Sequence, residues 1–265
     1  MSHKKFNWKV FITIWLATIF GVIAIIPYSL AVQGASLEKI ATQIPIPLLL
    51  AIQIGQNAIM FGVATMLGLF LANRIGLGAP ILEGFFARQR VREQIRSIIL
   101  PSVILGVVAA LIIIALDVFL FSPALKAELG VLAGEQGAQS IAKPAAWQGF
   151  FASFYGGINE EVLLRLFLLT SLAWLGKFVS HTAEGRPTLA VLWIANILTA
   201  ILFGLGHLPV TAMVIPLTPL VITRAIVLNG LAGLAFGYLY WRRGIESAML
   251  SHFSADIVLH VLLAM

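Results

Sequence analysis

Long apolar runs separated by short polar or glycine- and proline-bearing breaks dominate this chain. A membrane-spanning helix needs about 20 mostly apolar residues. Seven stretches meet that length: Val10–Val32, Ile44–Ala72, Ile98–Phe121, Trp147–Phe178, Thr188–Gly206, Leu217–Trp241 and Ile245–Met265. An eighth is added if Leu208–Pro216 forms a short re-entrant piece. The pattern predicts an all-α, polytopic transmembrane bundle. The first run is longer than the ~7–15 apolar residues of a signal-peptide core, and no A-x-A-like cleavage site follows closely. A retained first helix is expected.

Composition agrees with the pattern. Of 265 residues 60% are hydrophobic and 11% charged, against about 25% charged in soluble domains. No stretch is polar enough for a separate soluble domain, so residues 1–265 read as one membrane domain. The absence of cysteine removes disulfides, thiolate nucleophiles and cysteine-based metal sites. A formal charge of +6 would suggest nucleic acid in a soluble protein. Here it reflects Lys and Arg held in cytoplasmic loops, and no nucleic-acid partner is expected.

Those loops set the orientation. Lys4, Lys5 and Lys9 precede the first run, and Arg74, Arg88, Arg90, Arg92 and Arg96 lie between the second and third, against Glu83 and Glu93. Lys177 and Arg186 follow the fourth run, and Arg242 and Arg243 the sixth. The alternate loops are balanced: Glu38 with Lys39, then Lys126 and Lys143 with Glu128 and Glu135. This alternation places the N-terminus in the cytoplasm, in a multi-pass protein of the cell membrane. The segment Leu82–Arg96, with Phe85, Phe86, Val91 and Ile95 among its arginines, reads either as a helix lying on the headgroups or as a solvated loop.

Against this background the last spans carry Glu160, Glu161, Arg165, His207, His252 and Asp256. Ionisable groups in a hydrocarbon layer are costly and mark interior sites. Glu161 and Arg165 are spaced i,i+4 and can pair on one helix face. Glu160, rotated ~100° from Glu161 in an α-helix, lacks that partner and is free to act as a general base. His252 and Asp256 share a face in the same way, which suits a metal site, an oriented base or a polarised carbonyl. His207 closes the fifth run one turn after Phe203, and His260 reads as an outer-end residue outside the site. Each fragment also has a plainer reading, as an ion pair or hydrogen bond that ties helices together. Gln53, Gln56, Asn57 and Asn229 are expected to hydrogen-bond between helices. Arg224 is expected to pair with an acid such as Asp117.

Taken in order, E-E-x-x-x-R (Glu160, Glu161, Arg165), F-x-x-x-H (Phe203, His207) and H-x-x-x-D (His252, Asp256) on three apolar helices resemble the CPBP family. These are the CAAX-processing and bacteriocin-processing, Abi-type intramembrane proteases. The resemblance covers residues 147–265 as a catalytic core, with 1–146 as variable N-terminal helices that match only in being hydrophobic. It implies an intramembrane endopeptidase acting on membrane-anchored or lipidated peptides. Glu160 would activate the attacking water with help from His207, His252 and Asp256 would stabilise the oxyanion or hold a metal, and Glu161, Arg165 and Phe203 would support them. The position of Asp256 is usually Asn in prenyl-protein proteases of this type. A carboxylate ligates zinc better than an amide, so the resemblance leaves open either no cofactor or zinc on Glu160, His207, His252 and Asp256. A transporter or scaffold that binds ions with the same residues is the alternative reading. Oligomeric state is not legible.

Depth supplies a check. At ~1.5 Å per residue, His252 lies ~12 Å inside the cytoplasmic end of its span. Glu160 lies ~20 Å below the outer end of its own, so the two agree in a ~30 Å core. His207, at the end of a straight helix from Thr188, would lie near the outer face. Tilt or a break at Gly204–Gly206 is then required to bring it inward.

Overall fold

The computed structural model describes residues 6–32, 44–133, 144–213 and 215–265. Lys4, Lys5, Glu38, Lys39, Glu135 and Lys143 of the charge pattern lie outside the described residues. The chain is a helical bundle: α1 (Trp8–Val32), α2 (Ile46–Ile75), the short α3 (Pro80–Phe86), α4 (Arg92–Gly130), α5, α6 (Leu189–Gly206), the short α7 (Leu208–Ala212), α8 (Pro219–Arg243) and α9 (Ile245–Ala264). Helix α5 runs without interruption through Ala146–Phe154, Tyr155–Glu160, Val162–Leu169 and Thr170–Gly176. Among the described residues there is no strand.

Six of these helices are long and apolar enough to cross a membrane. The predicted span Trp147–Phe178 is helical too, as α5, but its carboxylates and arginine lower its hydropathy below that of the other six. Leu208–Pro216 contributes only the five-residue α7, with Val214 outside the described residues. The segment Leu82–Arg96 is not one interfacial helix. Helix α3 ends at Phe86, Arg88 takes a left-handed conformation at φ 57°, and Arg92–Arg96 form the first turns of α4.

Local chemistry sets the helix ends. The Asn7 side chain accepts from the backbone N–H groups of Lys9 and Val10, and Thr218 Oγ1 accepts from Val221, each satisfying donors at a helix start. Gly244, at φ 96°, turns α8 into α9 in a conformation that a side chain would strain. Glu246 Oε1 accepts from the backbone of Ile81 and Leu82 at 3.0 Å each, which fastens α3 to the start of α9.

Each helix buries one stripe and leaves the other apolar. On α1 the buried stripe is Val10, Ile14, Thr18, Gly21 and Val22, while Ile12, Leu16, Phe20 and Ile23 face outward. An outward face this apolar suits lipid, so burial of apolar area does not by itself hold such helices together. Small and polar groups do that work. Ser102 and Ser247 hydrogen-bond at 2.7 Å, Asn159 donates to the Thr18 carbonyl at 2.9 Å, and Trp15 donates to Ala58 at 2.8 Å. Asn57 and Asn229 instead donate to carbonyls of their own helices, Gln53 and Ala225. The Asn57 amide, at a half-buried position, is taken up by its own preceding turn. Helix α8 packs most extensively on α6 and α4 on α9, with α8 also against α9 and α2 against α5.

Candidate active site

The site is assembled where α5, α6, α8 and α9 meet. Its first requirement is a helix that can aim two adjacent carboxylates at one target. Helix α5 is π-helical over Tyr155–Glu160 and again over Val162–Leu169. Such wide turns inside α-helices recur at functional sites. Thr170 Oγ1 donates to the Arg165 carbonyl five residues back, at 3.1 Å, which matches the wider ladder. Glu161 sits between the two π-helical stretches with φ -68° and ψ -38°, and both carboxylates reach the same imidazole.

That imidazole is His252. Its Nδ1 lies 2.8 Å from Glu161 Oε1, its Nε2 lies 3.7 Å from Glu160 Oε2, and Nε2 is 3.6 Å from Asp256 Oδ1. An ionised carboxylate only accepts, so Glu161 places the Nδ1 proton and leaves Nε2 facing Glu160 and Asp256. The ring is fixed by stacking on Phe236, with centroids 4.5 Å apart and planes at 23°, and by the edge of Phe203 at 5.7 Å.

Glu161 itself is held from the other side. Arg165 Nη1 lies 2.8 Å from the same Oε1, and both side chains are 0% exposed. That contact is close but poorly aligned as a hydrogen bond, and Glu161 Oε2 has no partner among the described residues. Arg165 also donates from Nη2 to the Gly233 carbonyl at 3.1 Å, and its guanidinium faces the rings of Phe203 and Phe236 at 5.0 and 5.5 Å. The pair predicted from i,i+4 spacing is present, and it carries His252 as a third member.

Glu160 is in a different setting. Its side chain is 24% exposed, so it is the carboxylate that solvent can reach. Asp256 is buried and lies between two imidazoles, with His260 Nε2 at 3.9 Å and 40% exposed. His260, set aside on sequence grounds, therefore borders the site, and Tyr28 of α1 stacks edge-on to it at 5.7 Å. The close approach of α9 to α5 depends on Gly156. A Cβ there would overlap Asp256 Oδ2 and come within 3.1 Å of His252 Nε2.

His207 reaches this level without a break in its helix. Phe203 lies ~21 Å along α6 from Leu189, and His252 only ~10 Å along α9 from Ile245. Because Phe203 touches His252, α6 starts about 10 Å beyond the α8–α9 turn and ends beside the site. The Phe203 ring also meets His207, at 4.8 Å. His207 Nδ1 pairs with the Phe203 carbonyl at 2.9 Å, and among the described residues its Nε2 has no hydrogen-bond partner.

Zinc is tested by the same geometry. Among the described residues no three His, Asp or Glu side chains converge as a metal ion requires. Nδ1 of both His207 and His252 is hydrogen-bonded, which leaves Nε2 as the nitrogen that either ring could turn toward a metal. Sequence reasoning missed three contributors: Phe236, Gly156 and the link from Glu161 to His252. The first two have no distinguishing local signal. The third joins residues on different helices, and only the paired occurrence of E-E and a buried histidine hints at it.

No curated protein and no solved structure matches the chain. Residues 142–258 match the family described as Type II CAAX prenyl endopeptidase Rce1-like, a segment that contains Glu160, Glu161, Arg165, Phe203, His207, His252 and Asp256. The match covers less than half of the chain and makes that segment similar to a CAAX-type intramembrane endopeptidase domain.

Proposed function

We propose that the protein hydrolyses a peptide bond of a membrane-anchored or lipidated peptide by general-base catalysis from Glu160. The observation that carries this reading is the placement of Glu160 and Glu161 on opposite nitrogens of His252, one carboxylate reachable by solvent and the other sealed with Arg165. Two like groups in unlike environments take different roles.

The 3.7 Å gap between Glu160 and His252 is the separation at which one water can bridge two polar groups. Glu160 takes a proton from that water as its oxygen attacks the scissile carbonyl. The developing oxyanion is met by Nε2–H of His252 in its doubly protonated form, whose Nδ1–H goes to Glu161, and by Asp256 in its protonated form, since only a protonated carboxyl can donate. Glu160 then returns the proton to the departing amine, so its charge is restored at the end of the cycle. His207 Nε2 positions water or substrate from the end of α6. Glu161, backed by Arg165, holds Nδ1–H and so the orientation of the ring, and neither residue touches substrate.

Substrate chemistry follows from depth. The site lies in the bundle interior, and a peptide bond must reach it in extended form. A lipid anchor or a short membrane-bound tail delivers such a segment without unfolding a helix. The test is cleavage of a fluorogenic prenylated peptide by the purified protein in nanodiscs, with Glu160→Gln beside it. Turnover by the wild type and its loss in a folded Glu160→Gln variant are expected. Absence of cleavage with any anchored peptide, together with Glu160-dependent ion uptake into vesicles, would establish the ion-binding alternative.

A further inference from the structure

We propose that the arginine-rich end of the bundle carries a second site, distinct from the peptidase centre, that binds the phosphate of an anionic headgroup. A cavity of about 680 Å³ opens between the end of α2, the turn before α3, the α5–α6 connection and the α8–α9 turn. Arg74, Arg186, Arg242 and Arg243 all line it, together with the two carboxylates Glu83 and Glu184. Three separate segments thus bring four arginines to the lining of one space, with positive charge in excess.

The cavity's arginines are not consumed by carboxylates. Among the described residues none of the four has an acidic oxygen within ion-pair distance. Arg243 donates to the Ser97 carbonyl at 3.0 Å, Arg74 lies over the Phe70 ring at 4.0 Å, and the Arg186 guanidinium lies against Gly76. Each contact fixes a side chain without neutralising it. The buried indole Nε1 of Trp241, on the same wall, also has no acceptor among the described residues. Guanidinium forks suit phosphate oxygens, to which they can donate in pairs.

Position selects the class of ligand. His252 stands ~10 Å from Ile245, so the cavity at Gly244 lies about that far from the peptidase centre. The buried core between them includes Phe236, Tyr240 and Ile245, each at or near zero exposure. On the other side, Gly106 of α4 abuts Ser251, and Asp117 lies ~17 Å further along that helix. The Arg224–Asp117 pair and the cavity are thus separated by roughly the ~30 Å of a hydrocarbon core, which puts the cavity at headgroup level. Excess arginine marks that end as cytoplasmic, where basic pockets between helices take up anionic lipid headgroups. Phosphatidylglycerol supplies the required phosphate diester, and free phosphate offers the same oxygens without the anchor.

The full chain is placed in phosphatidylcholine nanodiscs with increasing phosphatidylglycerol, and separately with inorganic phosphate, and the unfolding midpoint is followed with native mass spectrometry of retained lipid. A saturable rise in the midpoint and one retained phosphatidylglycerol are expected. The Arg186→Gln/Arg242→Gln protein, changed at two exposed positions, should need at least tenfold more lipid for half the rise. Arg90→Gln/Arg92→Gln, which lies outside the cavity, should match the wild type. Stabilisation by lipid alone assigns the site to a headgroup, and an equal response to inorganic phosphate assigns it to a soluble phosphate. Equal lipid responses in both double variants, or no response in the wild type, would overturn the proposal. Peptide cleavage plays no part in the readout, so the result stands apart from the peptidase assignment.

Discussion

Glu161 and His252 are separated by 91 positions in the chain, and their Oε1 and Nδ1 atoms are 2.8 Å apart. The carboxylate is shared: the same oxygen faces Arg165 at 2.8 Å. A buried ion pair thereby fixes the histidine that faces Glu160. Stability and the geometry of the proposed site are coupled through one oxygen atom.

The first prediction separates those two roles. Arg165→Met leaves Glu161 as an uncompensated buried charge, and breaking such a pair costs about 3–5 kcal/mol. Replacing both partners, as Glu161→Leu/Arg165→Met, should lose markedly less, because two buried charges disappear together. Denaturant unfolding in detergent measures both. The double variant should nevertheless fail to cleave peptide, since His252 has lost the group that holds its Nδ1–H. Equal destabilisation by the single and double changes would show that the pair is not a unit.

Glu160→Gln tests the proposed base directly. General-base catalysis contributes about 10²–10⁴-fold, and the substitution should cut kcat by that range. Among the described residues Glu160 makes no close side-chain hydrogen bond, with His252 at 3.7 Å, so the unfolding free energy should move by less than about 0.5 kcal/mol. A variant with kcat near that of the wild type would remove Glu160 from the base role.

Much of this was legible in the chain, for a physical reason. Hydrophobic periodicity and the placement of arginines are local properties, and they give the helical bundle. The i,i+4 pairing of Glu161 with Arg165 is also local, and so is visible. The pairing of Arg224 with Asp117, at 2.6 Å, was expected because each is a lone charge in an apolar run. What local rules could not give is the π-helical stretch of α5. Nor do they give the placement of Glu160 and Glu161 on the two nitrogens of His252, a contact between different helices. The depth of His207 is hidden for a related reason: level span ends put it near the outer face, while α6 begins about 10 Å beyond the start of α9.

Gly156 yields a prediction about that convergence. A methyl group there would overlap Asp256 Oδ2 and crowd His252 Nε2. Because α5 and α9 are packed in contact, relief requires a backbone shift, and overpacking of this kind costs about 1–3 kcal/mol. Gly156→Ala should be less stable by that amount and should lose cleavage more than stability accounts for. Thermal unfolding and turnover on the same preparation give the two numbers. Full activity would show that α5 and α9 can separate freely.

The Arg224–Asp117 pair supplies the contrasting case. It is bidentate, at 2.6 and 2.8 Å, but its side chains are about a third and a quarter exposed, and exposed pairs contribute little. Arg224→Gln should lower stability by about 1 kcal/mol or less and leave kcat unchanged, because the pair lies ~17 Å along α4 from the level of the site. A large loss of cleavage in a stable Arg224→Gln protein would place this arginine in substrate binding instead.

Asp256 decides how the oxyanion is held. An ionised carboxylate would repel developing negative charge, whereas a protonated one donates to it, as an amide N–H does. If donation is its task, Asp256→Asn keeps a donor in nearly the same shape and should retain kcat within about tenfold. Asp256→Leu has no donor and should lose about 10²–10³-fold, the usual effect of removing one oxyanion contact. The geometry limits other outcomes: His252 Nε2 at 3.6 Å and His260 at 3.9 Å can each hold an ionised Asp256, and in that state Asn would not substitute. Equal losses in Asn and Leu variants, measured on the prenylated peptide at one pH, would therefore mean that Asp256 acts as an anion that positions the two histidines and not as the donor to the oxyanion.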